Sequence, residues 1–302
     1  MSDGRRLLDY CEILLAVTLW GSLYPASKSV TVELPPAHVA LARAVIAFLV
    51  LGTLLLARRK GAETLNELVR RPWPSASLGL LSFFLSSLLA MLAVQHLPAS
   101  VVGMITATAP LWLSVAAIAL RPPKDCVRML LGGVIALVGV GMVLFRGGEG
   151  VLGTLAGGGL DPLGVVFALL CSVVIALQTA WGRRVMPGKD PMVMMCLGCA
   201  WSIPPLLLLA MAEGGSGPQR TLSEQALGLT LYVGIGCTAL NFTLFNHALK
   251  RVPAERAAAF QYLIPFISAL LASAFLGEAL TWQLMAGGAA IVIGLALTQE
   301  GK

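Results

Sequence analysis

Thr106 and Gln261 each stand four residues before a proline, Pro110 and Pro265. Proline has no N–H, so in a helix the carbonyl four residues back loses its partner. Each position then combines a freed carbonyl with a polar side chain. That is the chemistry of holding a polar solute by hydrogen bonds, on a helix able to bend at the proline. It is not bond-breaking chemistry. The three histidines, His38, His96 and His247, sit outside any nucleophile–base or metal-binding motif, and no Gly-rich phosphate loop with a lysine occurs. The residues point to a binding or transport protein without catalytic residues, cofactor or metal, and not to an enzyme.

Other side chains fit the same task. Trp20 and Tyr24 are one helical turn apart and offer a stacking wall for a flat solute. Gln178, Asn241 and Tyr262 add polar groups inside apolar stretches, with Trp181, Thr238 and Asn246 nearby in sequence. Tyr262 points about 100° away from Gln261, so one of the two faces the solute. Arg43 lies two turns inside an apolar run, where an unpaired charge costs several kcal/mol, on the order of 3 or more. Its candidate partners are Glu33, helix-terminal carbonyls or an anionic group of a solute. His247, which titrates near neutrality, and Glu12 are the candidates for proton coupling. The CxxC formed by Cys196 and Cys199 lies in an apolar helix without a second pair and reads as packing.

These residues are embedded in apolar runs. The 302-residue chain is 57% hydrophobic and only 12% charged, with a mean hydropathy of +0.85. A soluble domain carries about 25% charge. Ten runs, each long enough to cross a bilayer as a helix, fall at 10–28, 37–57, 75–95, 99–120, 127–145, 162–182, 191–211, 226–249, 254–276 and 281–298. The first continues past Trp20 and Tyr24 without a cleavage site and is not a signal peptide. Of the 21 lysines and arginines, all but Lys28, Arg146, Arg220 and the intramembrane Arg43 fall on one side of such a ten-span arrangement. The positive-inside rule makes that side cytoplasmic, with both termini there. The net charge of +6 therefore reports topology, not nucleic-acid binding.

The chain also repeats itself. HLPASVVGMITATAP (96–110) and RVPAERAAAFQYLIP (251–265) align with an offset of 155 residues. The same offset carries Gly132 and Gly133 onto Gly287 and Gly288, Gly139 onto Gly294, Pro36 onto Pro191 and Lys28 onto Arg183. Two units emerge, 1–147 and 162–302, joined by a Gly-rich extracytoplasmic linker, 148–161. Five spans per unit is an odd number, so the halves are inverted, the arrangement of alternating-access transporters with a site between them. The glycine pairs, seven residues apart, allow close helix packing. A channel or a non-transporting membrane scaffold is the alternative class; exchange, facilitated diffusion and proton antiport all remain open.

LAVTLWGSLYPASK in the first span, LARAVIAFLVL in the second, the paired HLPAS…TATAPL and RVPAE…QYLIPF segments and FLGEALTWQLMAGGAAIVIGLAL near the end resemble the drug/metabolite transporter superfamily, in its ten-helix EamA-type branch. The resemblance spans nearly the whole chain. It implies an all-α integral membrane fold of two inverted five-helix repeats around a central cavity, exporting or exchanging small metabolites, amino acids, nucleotide-type solutes or drugs. The family shares an arginine at the position of Arg43 across many substrates, which implies a structural or gating role for it. The family's loop glutamate is present as Glu278, but its repeat counterpart is Pro123, so Glu278 is expected to cap the final helix or anchor an interface. An uncharged polar cavity with aromatic walls favours amino acids, the larger hydrophobic and aromatic ones first. The expected setting is a bacterial inner membrane, with the chain acting as a monomer.

Overall fold

A computed structural model describes residues 3–120, 126–144, 160–213, 222–249, 251–252, 257 and 260–299. The helices are α1 Asp3–Gly21, α2 Leu23–Thr31, α3 Pro36–Ala57, α4 Gly61–Arg70, α5 Pro72–His96, α6 Ala99–Thr106, α7 Ala109–Leu120, α8 Cys126–Leu144, α9 Pro162–Val185, α10 Pro191–Glu213, α11 Glu224–Ala248, α12 Ile264–Leu276 and α13 Trp282–Gln299. No strand occurs among the described residues. Helix is what apolar sequence forms in lipid, because only helices and closed barrels satisfy every backbone group internally. Five of these, α3, α5, α9, α10 and α11, are by themselves long and apolar enough to cross a bilayer. All ten expected spans contain helix; most of the linker and Pro253 lie outside the described residues.

Local signals place several helix starts. Proline opens α3, α5, α9 and α10, where its missing N–H costs nothing. Asp161 caps α9, accepting from the Leu163 N–H at 2.9 Å, while Oδ2 contacts His96 Nδ1 at 2.6 Å. The expected first span is divided at Ser22, between α1 and α2. α4 forms no span. It leaves Leu65 and Val69 exposed and ties its other face to the connection before α10 through Glu67 and Lys189 at 2.5 Å.

The two halves interleave. α3 packs on α10, α5 on α9, α1 and α2 on α11, α6 on α12, and α8 on α13, so every major pairing joins a helix of one half to a helix of the other. In the last pair the repeated glycines meet at backbone distance. A Cβ on Gly294 would lie 2.4 Å from the Gly132 carbonyl, and one on Gly139 would lie 2.5 Å from that of Gly287. The cross-pairing 132–294 and 139–287 is what a two-fold axis between antiparallel repeats produces. Lipid tails are as apolar as leucine, so such helices associate through close van der Waals packing.

Two irregularities recur in both halves. α5 contains a π-helical turn at Leu80–Leu85, and α11 contains one at Ile235–Leu240, offset by the same 155 residues. The prolines do more than kink their helices. α6 ends at Thr106 and α7 begins at Ala109, with a turn between closed by Thr108 N–H on the Ile105 carbonyl at 3.1 Å. The second half repeats this turn before α12, with Leu263 N–H on the Phe260 carbonyl at 3.0 Å.

Gly294→Val should lower stability by about 1–3 kcal/mol through overpacking, whereas Gly228→Ala, in open space, should be neutral or stabilising; melting in detergent reads both. The Leu163 N–H, and then His96, hold the Asp161 carboxyl below its ordinary value. A depressed folded-state pKa contributes stability that is full above the unfolded value of about 3.9 and is lost as pH falls through the folded value. The melting gap between wild type and Asp161→Ala should therefore shrink as pH falls below about 4.

Candidate functional site

The junction between the halves gathers several residues singled out by the sequence. Arg43 is 8% exposed. Its Nε donates to Thr238 Oγ1 at 2.7 Å and its Nη1 to Ser87 Oγ at 3.2 Å. Thr238 lies inside the second π turn and Ser87 is the second residue after the first. One arginine thus bridges the repeated irregularity of both halves. A π turn shifts the backbone ladder and is common at functional sites. Here Thr238 Oγ1 donates five residues back to the Val233 carbonyl at 2.9 Å, and the Cys171 thiol reaches the Ser86 carbonyl at 3.3 Å.

Tyr24, buried on α2, lies beside Thr106 and within electrostatic range of Arg43. The Thr106 hydroxyl donates to its own backbone, to Val102 O at 2.8 Å and Gly103 O at 3.2 Å. It thereby occupies its proton and leaves its oxygen as an acceptor. Ser268 of α12 approaches from the second half, with its Oγ 2.8 Å from where a Gly103 Cβ would stand. Trp20 packs edge-on against Phe242 at 5.1 Å and Phe245 at 5.8 Å of α11, forming an aromatic wall across the halves. Its neighbour Gly21 permits the close approach of α12, since a Cβ there would meet Ile267 at 2.7 Å.

Asn241 is fully buried. Its Nδ2 donates to the Cys237 carbonyl at 3.3 Å, and its Oδ1 has no partner among the described residues. Gln178 Oε1 is in the same condition. It sits toward the far end of α9, where Trp181 Nε1 donates to Ser77 Oγ at 2.7 Å. Gln261 is half-buried at the turn before α12, next to Tyr262. Thr108, Trp112 and Ser172 were not among the sequence candidates. Ser172 Oγ meets Thr108 Oγ1 at 2.9 Å and accepts from Trp112 Nε1 at 3.0 Å. Ser and Thr in the apolar runs were the available signal, but nothing in their spacing marked these.

His247 and Glu12, read separately from the sequence, come together at 3.0 Å. Arg251 completes the group, with Nη2 on Glu12 at 2.6 Å and Nε on Asp9 at 2.9 Å. This cluster ties the start of α1 to the end of α11. Toward the other face, Lys28 Nζ donates to the Val94 and Leu97 carbonyls at 2.9 and 2.6 Å, closing the C-terminal end of α5. Glu278 accepts from Ala99 N at 2.7 Å, Ser100 N at 3.0 Å and Ser100 Oγ at 2.6 Å. Of its two expected roles, Glu278 takes the interface one: it caps α6 of the other half, while Thr281 Oγ1 accepts from Leu284 N at 3.3 Å at the start of the final helix. Gly277, at φ 66°, supplies the left-handed turn that ends α12 and delivers Glu278.

Interleaved inverted halves, with buried polar side chains where their irregular turns meet, define a multi-pass membrane transporter. The EamA-like transporter family matches residues 8–145 and 162–299, and the chain belongs to that family, within the drug/metabolite transporter superfamily. Uncharacterized transporter YvbV of Bacillus subtilis (strain 168) is 27% identical over 293 residues, 94% of this chain and 90% of that protein. A probable terminal-alkyne amino-acid exporter of Streptantibioticus cattleyicolor is 35% identical over 89 residues, 30% of each chain. A solved crystal structure superposes with a TM-score of 0.66 at 21% identity, covering 96% of both chains, which supports the fold.

Glu278→Ala should lower stability by about 1–2 kcal/mol, the usual cost of a lost helix cap, with Glu278→Gln losing less because an acceptor oxygen remains. Melting of the purified protein in detergent distinguishes the two.

Proposed function

We propose that the chain is an alternating-access exporter or exchanger of small metabolites, with amino acids, the larger hydrophobic and aromatic ones first, as its solutes. The observation that carries this reading is the repeated helix break: the same turn interrupts each half, at Ala107–Thr108 and at Tyr262–Leu263, on helices that pack against each other across the halves. Two equivalent hinges in inverted units give two mirror-related states of similar energy, one open to each side of the membrane. Pro110 and Pro265 hold these hinges. Gln261 and Tyr262, Thr106 and Tyr24, and Trp20, Gln178 and Asn241 line the route between the halves.

Amino acids are favoured by the wholly uncharged hydrogen-bonding side chains around the junction, Arg43 apart, and by the aromatic wall at Trp20. The Streptantibioticus relative, a probable amino-acid exporter, points the same way. The units 1–147 and 162–302, joined by 148–161, act as the moving halves of one monomer in a bacterial plasma membrane. The basic face, with both termini, is cytoplasmic. The cluster of Glu12, His247, Arg251 and Asp9 then closes the cytoplasmic end and is the place for proton coupling, while Glu278 and Lys28 fasten the external end.

Counterflow in proteoliposomes tests the reading. Vesicles preloaded with one amino acid should take up its labelled form saturably, and Gln261→Ala should reduce that uptake at least about fivefold, the loss of one good hydrogen bond to the solute. Flux that does not saturate and carries current would mean a channel; no flux of any amino acid from folded protein would overturn the amino-acid reading.

A further inference from the structure

Among the described residues the charge of Arg43 has no counter-charge. Every one of its hydrogen bonds among the described residues goes to a neutral hydroxyl, Thr238 or Ser87, and its electrostatic surroundings are Cys237, Cys199, Tyr24 and Cys171. The acids that might have neutralised it are engaged elsewhere. Glu33, the nearest candidate in sequence, accepts from Ser223 N at 2.9 Å and Ser223 Oγ at 2.6 Å. Glu213 accepts from Ala37 N at 3.0 Å, Glu278 holds the start of α6, and Asp9 and Glu12 hold Arg251. Among the described residues helix-terminal carbonyls are not its partners either.

A guanidinium this deeply buried in an apolar bundle is sustained only where an anion or water can reach it. Arg43 begins the third turn of α3, about 10 Å along it, and its two tethers come from the two halves. Nη2 has no hydrogen-bond partner among the described residues, so part of the planar fork is open to a second ligand. A carboxylate is an anion whose two oxygens match that fork. One turn from Thr238 on α11, Asn241 Oδ1 lacks a donor and suits an ammonium N–H. The repeat counterpart of Arg43 is Gly198, which packs against the backbone of Gly79. The site is therefore single and polar at one end.

We propose that Arg43 binds the carboxylate of the transported solute, so that the solutes of this protein are carboxylates, with α-amino acids fitting when Asn241 takes the ammonium. This rests on the transport reading above. When a carboxylate binds, the guanidinium exchanges a hydroxyl for a charged partner, loosening its tie to one half while keeping the other. Arg43 is thus assigned a binding role, in place of the structural or gating role that the family resemblance implies.

The test uses the full-length protein in detergent and in proteoliposomes, with each proteinogenic amino acid offered beside its carboxamide. Melting of the wild type should rise with at least one free acid and should not rise with its amide. In Arg43→Gln that acid-specific rise should be absent, and in Arg43→Lys it should be reduced at least about tenfold in apparent affinity, since a point charge replaces a fork. In counterflow, the acid should compete with labelled solute and the amide should compete at least about tenfold less. Equal effects of acid and amide, or no acid that stabilises the wild type, would overturn the proposal. If Arg43→Gln does not fold, the acid–amide comparison in the wild type decides. Acid-specific stabilisation without counterflow would leave the carboxylate site standing and sink the transport reading; saturable counterflow indifferent to the carboxyl group would do the reverse.

Discussion

Hydrocarbon offers no hydrogen-bond partner, and the whole structure follows from that. A backbone group left open to lipid costs several kcal/mol, roughly 2–7 by transfer measurements, so the chain is helical wherever it faces the bilayer. Departures from regular helix are affordable only between the halves. The two turns at 107–108 and 262–263 and the two π turns at 80–85 and 235–240 all lie on helices that pack across that junction. There the displaced carbonyls find side-chain donors, as Val233 finds Thr238 and Ser86 finds Cys171. Protein interior substitutes for the missing water.

Because each half packs chiefly on the other, neither has a complete core of its own. Glycines at 132, 139, 287 and 294 bring α8 and α13 to backbone contact, making a rigid seam. Packing at α6 and α12 likewise depends on a glycine, Gly103, set against the small Ser268 and beside Tyr24. The broken helices and the unbroken glycine helices are thus both closely packed, each through a residue too small to hold the neighbouring helix away.

The duplication is most informative where it fails. Arg43 has Gly198 as its counterpart, Thr238 has Phe83, and Glu278 has Pro123. The backbone geometry is shared by the halves, while the charge, the two hydroxyls that hold it and the cap carboxylate have no like residue at their repeat positions. Symmetric backbone suits two interconvertible states. Asymmetric side chains give the junction a direction, with a cation on the first half tied to a hydroxyl on each.

The ten helical segments, the 155-residue repeat, the prolines that break helices and the glycines that join them were all legible in the order of residues, because hydropathy and irregular residues act locally. Arg43 was legible as an anomaly. The π turns were not, since LLSFFL and IGCTAL share no pattern that marks them. Nor were the pairings: Glu278 with Ala99 and Ser100, Glu12 with His247, and Arg43 with Thr238 join residues more than 170 positions apart. Even Thr106, correctly seen as polar and proline-linked, had an unknown direction until its hydroxyl was found bonded to Val102. Sequence alone determined which segments enter the membrane and that they come as two inverted sets. Tertiary structure alone decided which polar groups face each other, because a side chain in lipid takes whichever partner packing brings within 3 Å, and packing is a property of the assembled halves.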